Sequence, residues 1–126
     1  MVIAVDFDGT IVENMYPEIG APKYDVVYAL KDFRAAGNKL ILWTCRDGID
    51  LERAVNYCEK ILGLHFDYIN TDTDEALKKY PGRGRKVGAD LYIDDKALSP
   101  DQFVCLAAAA AIQDLKKEIN KRMLIS

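Results

Sequence analysis

Short apolar runs alternate with amphipathic stretches along this chain. Val2–Phe7 is an apolar, largely β-branched run closed by a turn at Gly9, which predicts a buried strand. Tyr24–Ala36 sets Val27, Leu30, Phe33 and Arg34 at helical spacing, and Gly37-Asn38 forms a helix stop. Lys39–Thr44 predicts a second buried strand. Ile49–Leu62 predicts a helix with Leu51, Ala54, Val55, Cys58 and Leu62 on one face and Gly63 just past its end. Phe66–Asn70 and Ala89–Ile93 predict two further strands, with a charged helical turn over Asp72–Tyr80 between them. Five consecutive alanines, then Ile112, Leu115, Ile119 and Met123 at three- and four-residue steps, predict a long amphipathic helix over Cys105–Ile125.

Strand and helix in this alternation predict an α/β fold: a doubly wound, Rossmann-like parallel sheet in a three-layer α/β/α arrangement, with a long C-terminal helix. Continuous apolar strands fit a parallel sheet buried on both faces. Right-handed crossovers then bring the strand C-termini to one edge, where ligands of open α/β sheets bind.

At 126 residues the chain has the length of one domain, 1–126. Its 17 basic and 20 acidic residues, net charge −3, argue against bulk electrostatic binding of nucleic acid. A single histidine excludes a multi-histidine metal site, so any metal chemistry falls to carboxylates. Cys45, Cys58 and Cys105 match neither a zinc pattern nor a redox pair and read as free buried thiols of a cytoplasmic protein. The apolar start is interrupted at Asp6, unlike a signal peptide, and no run approaches a membrane span.

The chemistry gathers just after the strands. The first ends in Asp6-Phe7-Asp8-Gly9-Thr10, the second in Thr44-Cys45-Arg46-Asp47, the third at Asn70-Thr71-Asp72 and the fourth in Asp94-Asp95. An unpartnered charge at Asp6, following an apolar strand, would cost several kcal/mol if buried. A divalent cation would offset it, and oxygen-only donors from Asp6, Asp8, Asp94 and Asp95 suit Mg²⁺ rather than Zn²⁺. Mg²⁺ shares its shell with phosphate, for which Thr44 and Lys86 are the available donors.

Asp6-Phe7-Asp8-Gly9-Thr10 resembles the DxDGT signature of the haloacid dehalogenase (HAD) superfamily. Thr44 after an apolar run resembles its second motif, Lys86 its third, and Leu91-Tyr92-Ile93-Asp94-Asp95 its fourth, so the resemblance covers residues 1–100. Lys78, Lys79 and Arg85 compete with Lys86 for the third role. The resemblance implies a phosphatase in which Asp6 is the nucleophile, forming an aspartyl-phosphate, and Asp8 the general acid and then base. Thr44 and Lys86 would bind the phosphoryl oxygens. Mg²⁺ would be held by Asp6, the Asp8 carbonyl and Asp94, with Asp95 acting through water. No insertion is long enough for a cap domain. Residues 11–24 form at most a short flap, and 101–126 the C-terminal helix.

Other residues keep two readings. Gly9 and Thr10 are candidate substrate contacts. Arg46 either touches the leaving group or forms a surface salt bridge, and Asn70 either hydrogen-bonds substrate or shapes a turn. The basic stretch 81–86 either steers anions or is a solvated loop, while Trp43 and Tyr92 read as core. The expected partner is a phosphorylated substrate of unspecified class, with the C-terminal helix a candidate homo-oligomer contact. A receiver-type phospho-aspartate domain is the competing class. It would be phosphorylated on Asp72 or Asp74 rather than Asp6. A non-catalytic Mg²⁺- or phosphate-binding module is the third.

Overall fold

The computed structural model describes residues 1–82 and 84–125, with side chains given to residue 123. Arg83, in the basic stretch, and Ser126, at the end of the expected C-terminal helix, lie outside the described residues. The chain divides into two compact units, residues 1–95 and 96–126.

The first unit runs β1 (Val2–Val5), α1 (Tyr24–Ala35), β2 (Lys39–Leu42), α2 (Gly48–Tyr57), a π-helical turn (Cys58–Leu62), β3 (Tyr68–Ile69), α3 (Asp74–Lys79) and β4 (Leu91–Ile93). Its four strands form an all-parallel sheet in the order β3-β2-β1-β4. This is the expected doubly wound, Rossmann-like α/β arrangement, though each strand is shorter than its apolar run. The pleat sends alternate residues to opposite faces. Ile3, Val5, Leu40 and Leu42 enter the larger core with Val27 and Leu30 of α1 and Ala54 of α2. Ala4 and Ile41 enter a smaller cluster with Val87, bordered by Trp43 and Tyr68. On that second face the Tyr68 hydroxyl meets Asp74, at the start of α3, at 3.3 Å. Helices therefore lie on both sides of the sheet.

Three details depart from the sequence reading. The helix expected over Ile49–Leu62 is α-helical only to Tyr57; it then widens into the π turn, ending at left-handed Gly63. Cys58, Leu62 and Leu64 all reach the core across that turn. Of the three thiols only Cys58 is buried, with Cys45 and Cys105 exposed, because the latter two fall on a loop and on an exposed helix face. Tyr92 is 40% exposed rather than core, since its hydroxyl reaches the Val87 carbonyl at 2.6 Å instead of packing inward.

The second unit is α4 (Pro100–Ile125), a 26-residue helix that starts five residues before the expected Cys105. Ser99 Oγ accepts from Gln102 N at 3.1 Å, and Gln102 Oε1 accepts from Ser99 N at 2.9 Å. This reciprocal capping box, with Pro100 in the first turn, sets the start. Its apolar positions, among them Phe103, Leu106, Ile112 and Leu115, are exposed. No helix among the described residues is long and apolar enough to cross a membrane.

Candidate active site

The chain leaves β1 for β2 and β3 on one side and returns to β4 on the other, so the β1/β4 boundary is the topological switch point. In open α/β sheets, ligands bind outside the strand C-termini at such a point. The backbone register continues past the strands. Asp6 N donates to Ile93 O at 3.0 Å, and Trp43 N donates to Val5 O at 2.8 Å. Asp6 therefore follows β1 between Asp94 after β4 and Trp43 after β2.

Asp6, Asp94 and Asp95 each offer a carboxylate oxygen within 4.8 Å of the others. Asp94 and Asp95 are exposed, and Asp6 is half-buried. Burial pushes the Asp6 carboxyl up to about 6; a hydrogen bond from Phe7 N–H opposes this, and the charges of Asp94, Asp95 and Asp8 reinforce it. Ionising all three groups together is costly without a positive charge among them. Three hard oxygen donors around one point are the residues that could hold a divalent cation such as Mg²⁺.

The Gly9-Thr10 turn seats this cluster. Thr10 Oγ1 accepts the Asp95 N–H at 3.0 Å, and Lys23 Nζ donates to Gly9 O at 2.9 Å. Gly9 has φ +84°, and a Cβ there would lie 2.2 Å from Asp95 Oδ2. Only glycine lets the Asp95 carboxylate close on this turn. Thr10 is buried, its side chain engaged with the backbone of the β4 loop.

Asp8 points away from the three-carboxylate cluster. Its Oδ2 accepts from Arg46 Nε and its Oδ1 from Arg46 Nη2, each at 2.7 Å. Arg46 Nη1 donates to the carbonyls of Pro17 (3.1 Å) and Asp50 (3.3 Å), and Nη2 also donates to that of Glu18 (3.0 Å). All five N–H donors of the guanidinium are thereby used. The group lies between the Phe7 and Tyr16 rings, 5.1 and 5.0 Å from their centres, with its side chain 1% exposed. Arg46 is thus a buried brace rather than a surface salt bridge, with no donor left for a leaving group. The hydrogen bonds to Asp8 push the Arg46 pKa further up, against the effect of burial. Sequence reasoning missed this because the pattern around Arg46 carries no apolar periodicity. The signal lay in the carboxylate two positions past Asp6, which needs a partner.

Thr44 and Asn70 lock together the loops after β2 and β3. Asn70 Oδ1 accepts from Thr44 N at 2.8 Å, and its Nδ2 donates to Arg46 O at 3.4 Å. Asn70 has φ 53°, a left-handed geometry that asparagine tolerates. Thr44 Oγ1 accepts from Arg46 N at 3.1 Å, which leaves the hydroxyl proton to donate elsewhere. Lys86 is exposed, its Nζ 4.8 Å from the centre of the Tyr92 ring, two residues before Asp94. Lys79 lies over Tyr80. Asp72, expected to open the helical turn, instead lies before α3 and is 5% exposed; its Oδ1 accepts from Gly88 N and ties the β3 exit to the approach to β4.

No protein-family model and no curated protein matches the chain. A solved structure, described as that of "the conserved protein coded by locus from Bacteroides thetaiotaomicron", is 42% identical, with a TM-score of 0.68. The match covers 83% of this chain and 85% of that one. An identity of that size over most of both chains, with the same fold, makes this chain a member of the family of that conserved Bacteroides thetaiotaomicron protein.

Proposed function

We propose that the chain is a HAD-superfamily, Mg²⁺-dependent phosphomonoester hydrolase that works through an aspartyl-phosphate on Asp6. The observation that carries this reading is the meeting of Asp6, Asp94 and Asp95 at the switch point, with Asp8 fixed two residues from Asp6. The DxDGT resemblance supplies the roles.

An ionised Asp6 oxygen attacks the substrate phosphorus, and the bond to the leaving oxygen breaks. Asp8 gives that oxygen its proton. Asp8 then takes a proton from a water molecule that attacks the aspartyl-phosphate, which releases inorganic phosphate and restores Asp6. A carboxylate offers about four lone-pair sites, and Arg46 occupies two on Asp8, so the others remain for the proton. Thr44 donates its hydroxyl proton to a phosphoryl oxygen, and Lys86 supplies the cationic partner. Asp6, Asp94 and Asp95, together with the Asp8 carbonyl, would hold Mg²⁺. The ion would neutralise charge on the transferring phosphoryl group. The 13–21 segment, closed by Glu13 N to Ala21 O at 2.8 Å, forms a short flap beside the site.

The test is phosphate release from p-nitrophenyl phosphate. Turnover that requires Mg²⁺ and vanishes in Asp6→Asn supports the assignment; turnover unchanged in Asp6→Asn overturns it. Phosphate trapped on Asp72 or Asp74 instead of Asp6 would replace it with the receiver reading.

A further inference from the structure

At the sheet edge by Trp43 and Asn70 lies a cavity of about 370 Å³, a size typical of small-ligand sites; Asp6, Asp94 and Asp95 are not among its lining residues. Trp43, Tyr80, Leu77 and Val87 form apolar and aromatic wall, and Asn70 and Arg85 are among its polar groups. Two of these residues tie the cavity to the reacting edge. Trp43 is the strand neighbour of Asp6, at an inter-strand spacing of about 5 Å, and its side chain sits on the same sheet face. Asn70 holds the Thr44 amide through its side chain. The buried Asp72–Gly88 hydrogen bond joins two segments that line or border the cavity, fixing their separation.

We propose that this cavity seats the leaving group of the phosphomonoester, and that the group carries an aromatic ring system of nucleoside size. The proposal rests on the phosphohydrolase reading above. A ring lies against Trp43 and Tyr80, its polar edge meets Asn70 and the Asp72 segment, and the phosphate end emerges at Asp6 and Thr44. Stacking on aromatic side chains is tolerant of which ring is offered, so the class is aromatic rather than one base. Arg85 at the wall suits an anionic ester. A small aliphatic or open-chain sugar leaving group would leave most of this wall uncovered.

Trp43 is the chain's single tryptophan and lines this cavity, so ligand seated there should change its fluorescence. The experiment uses the full chain, with adenosine and glycerol as phosphate-free probes and AMP and glycerol 3-phosphate as substrates. Saturable quenching by adenosine but not glycerol, and a kcat/KM at least about tenfold higher for AMP, are expected. Tyr80→Ala should weaken adenosine binding about tenfold and erode the AMP preference by a similar factor. Equal kcat/KM for both esters with no adenosine quenching overturns the cavity assignment while leaving the hydrolase reading intact. Adenosine quenching without hydrolysis of any ester supports the cavity as an aromatic site and overturns the hydrolase reading instead. Both wild-type measurements stand whether or not Tyr80→Ala folds.

Discussion

Asp8 and Arg46, from the loops after β1 and β2, meet edge to edge through two hydrogen bonds of 2.7 Å each. Each fixes the other: the carboxylate takes two of the five guanidinium donors, and the carbonyls of Pro17, Glu18 and Asp50 take the rest. The pair therefore fixes the orientation of the Asp8 carboxylate, which under the proposed mechanism sets the direction of its proton transfer.

Arg46→Lys should keep a positive charge but lose the two-point contact, because an ammonium cannot match the fork of a guanidinium. A misplaced acid–base group of this kind costs about 10²-fold in kcat. KM should change far less, since Arg46 has no donor free for substrate. Arg46→Ala should in addition lower stability by about 3 kcal/mol, the scale for breaking a buried ion pair. Steady-state kinetics and urea unfolding check both; a KM effect without a kcat effect would place Arg46 on the substrate.

Asp6 makes the folded protein sensitive to acid in an unusual direction. Its carboxyl, ordinarily near 3.8, is pushed up to about 6 by burial and by its acidic neighbours. Between those values the native state holds more protons than the unfolded chain, so stability falls as pH rises through the window. The metal-free melting temperature should decline from pH 4 to pH 7, and Asp6→Asn should flatten that decline. At pH 7 Asp6→Asn should melt about 4 °C higher, equivalent to roughly 1 kcal/mol. Mg²⁺ at about 100 times its Kd should restore about 2.7 kcal/mol to the wild type, with a smaller gain in the variant. Calorimetry across pH, with and without the ion, reads all three.

Gly9→Ala introduces a methyl group where Asp95 Oδ2 would lie 2.2 Å away, at a φ of +84°. The Asp95 carboxylate must move, and the turn must also accept a strained backbone, a cost of about 1–3 kcal/mol. Activity should fall with weaker Mg²⁺ dependence, visible as a rightward shift in an Mg²⁺ titration of turnover. An unshifted titration would separate Asp95 from the cation.

Thiol reactivity tests the packing of the π turn. Burial pushes the Cys58 thiol up to about 12, with the charge of Glu59 adding to it. Brief alkylation at pH 8 should label Cys45 and Cys105 and spare Cys58 until the chain is denatured, as read by peptide mass spectrometry. Early labelling of Cys58 would mean the turn is open.

The parts visible in the residue pattern were those set by local chemistry. Val2–Val5 and Lys39–Leu42 read as buried strands because both faces of each are covered, leaving no polar gap. Strand ends then located Asp6, Asp94 and Asp95, since a parallel sheet sends every C-terminus to one edge. Arg46 was opaque for the opposite reason. Its partners are Asp8 and the backbone carbonyls of Pro17, Glu18 and Asp50, and carbonyls leave no mark in a residue pattern. The α4 start is legible in Ser99-Pro100-Asp101-Gln102, a capping pattern that lies five residues upstream of the run with helical periodicity. The widened turn after Tyr57 has no residue signature of its own: Cys58 and Leu62 keep ordinary helical spacing, and only the buried Leu64 beyond Gly63 requires it.

Arg46 grips the flap through the main-chain oxygens of Pro17 and Glu18, not through their side chains. A carbonyl is the same whichever residue bears it. Glu18, and exposed neighbours such as Met15, are therefore free to diverge without loosening the brace beneath them. Side chains at those positions can change while the Asp8–Arg46 pair beneath stays as built, whereas Tyr16, whose ring lies against the guanidinium, and Gly20, where a Cβ would meet the Glu13 backbone, are held.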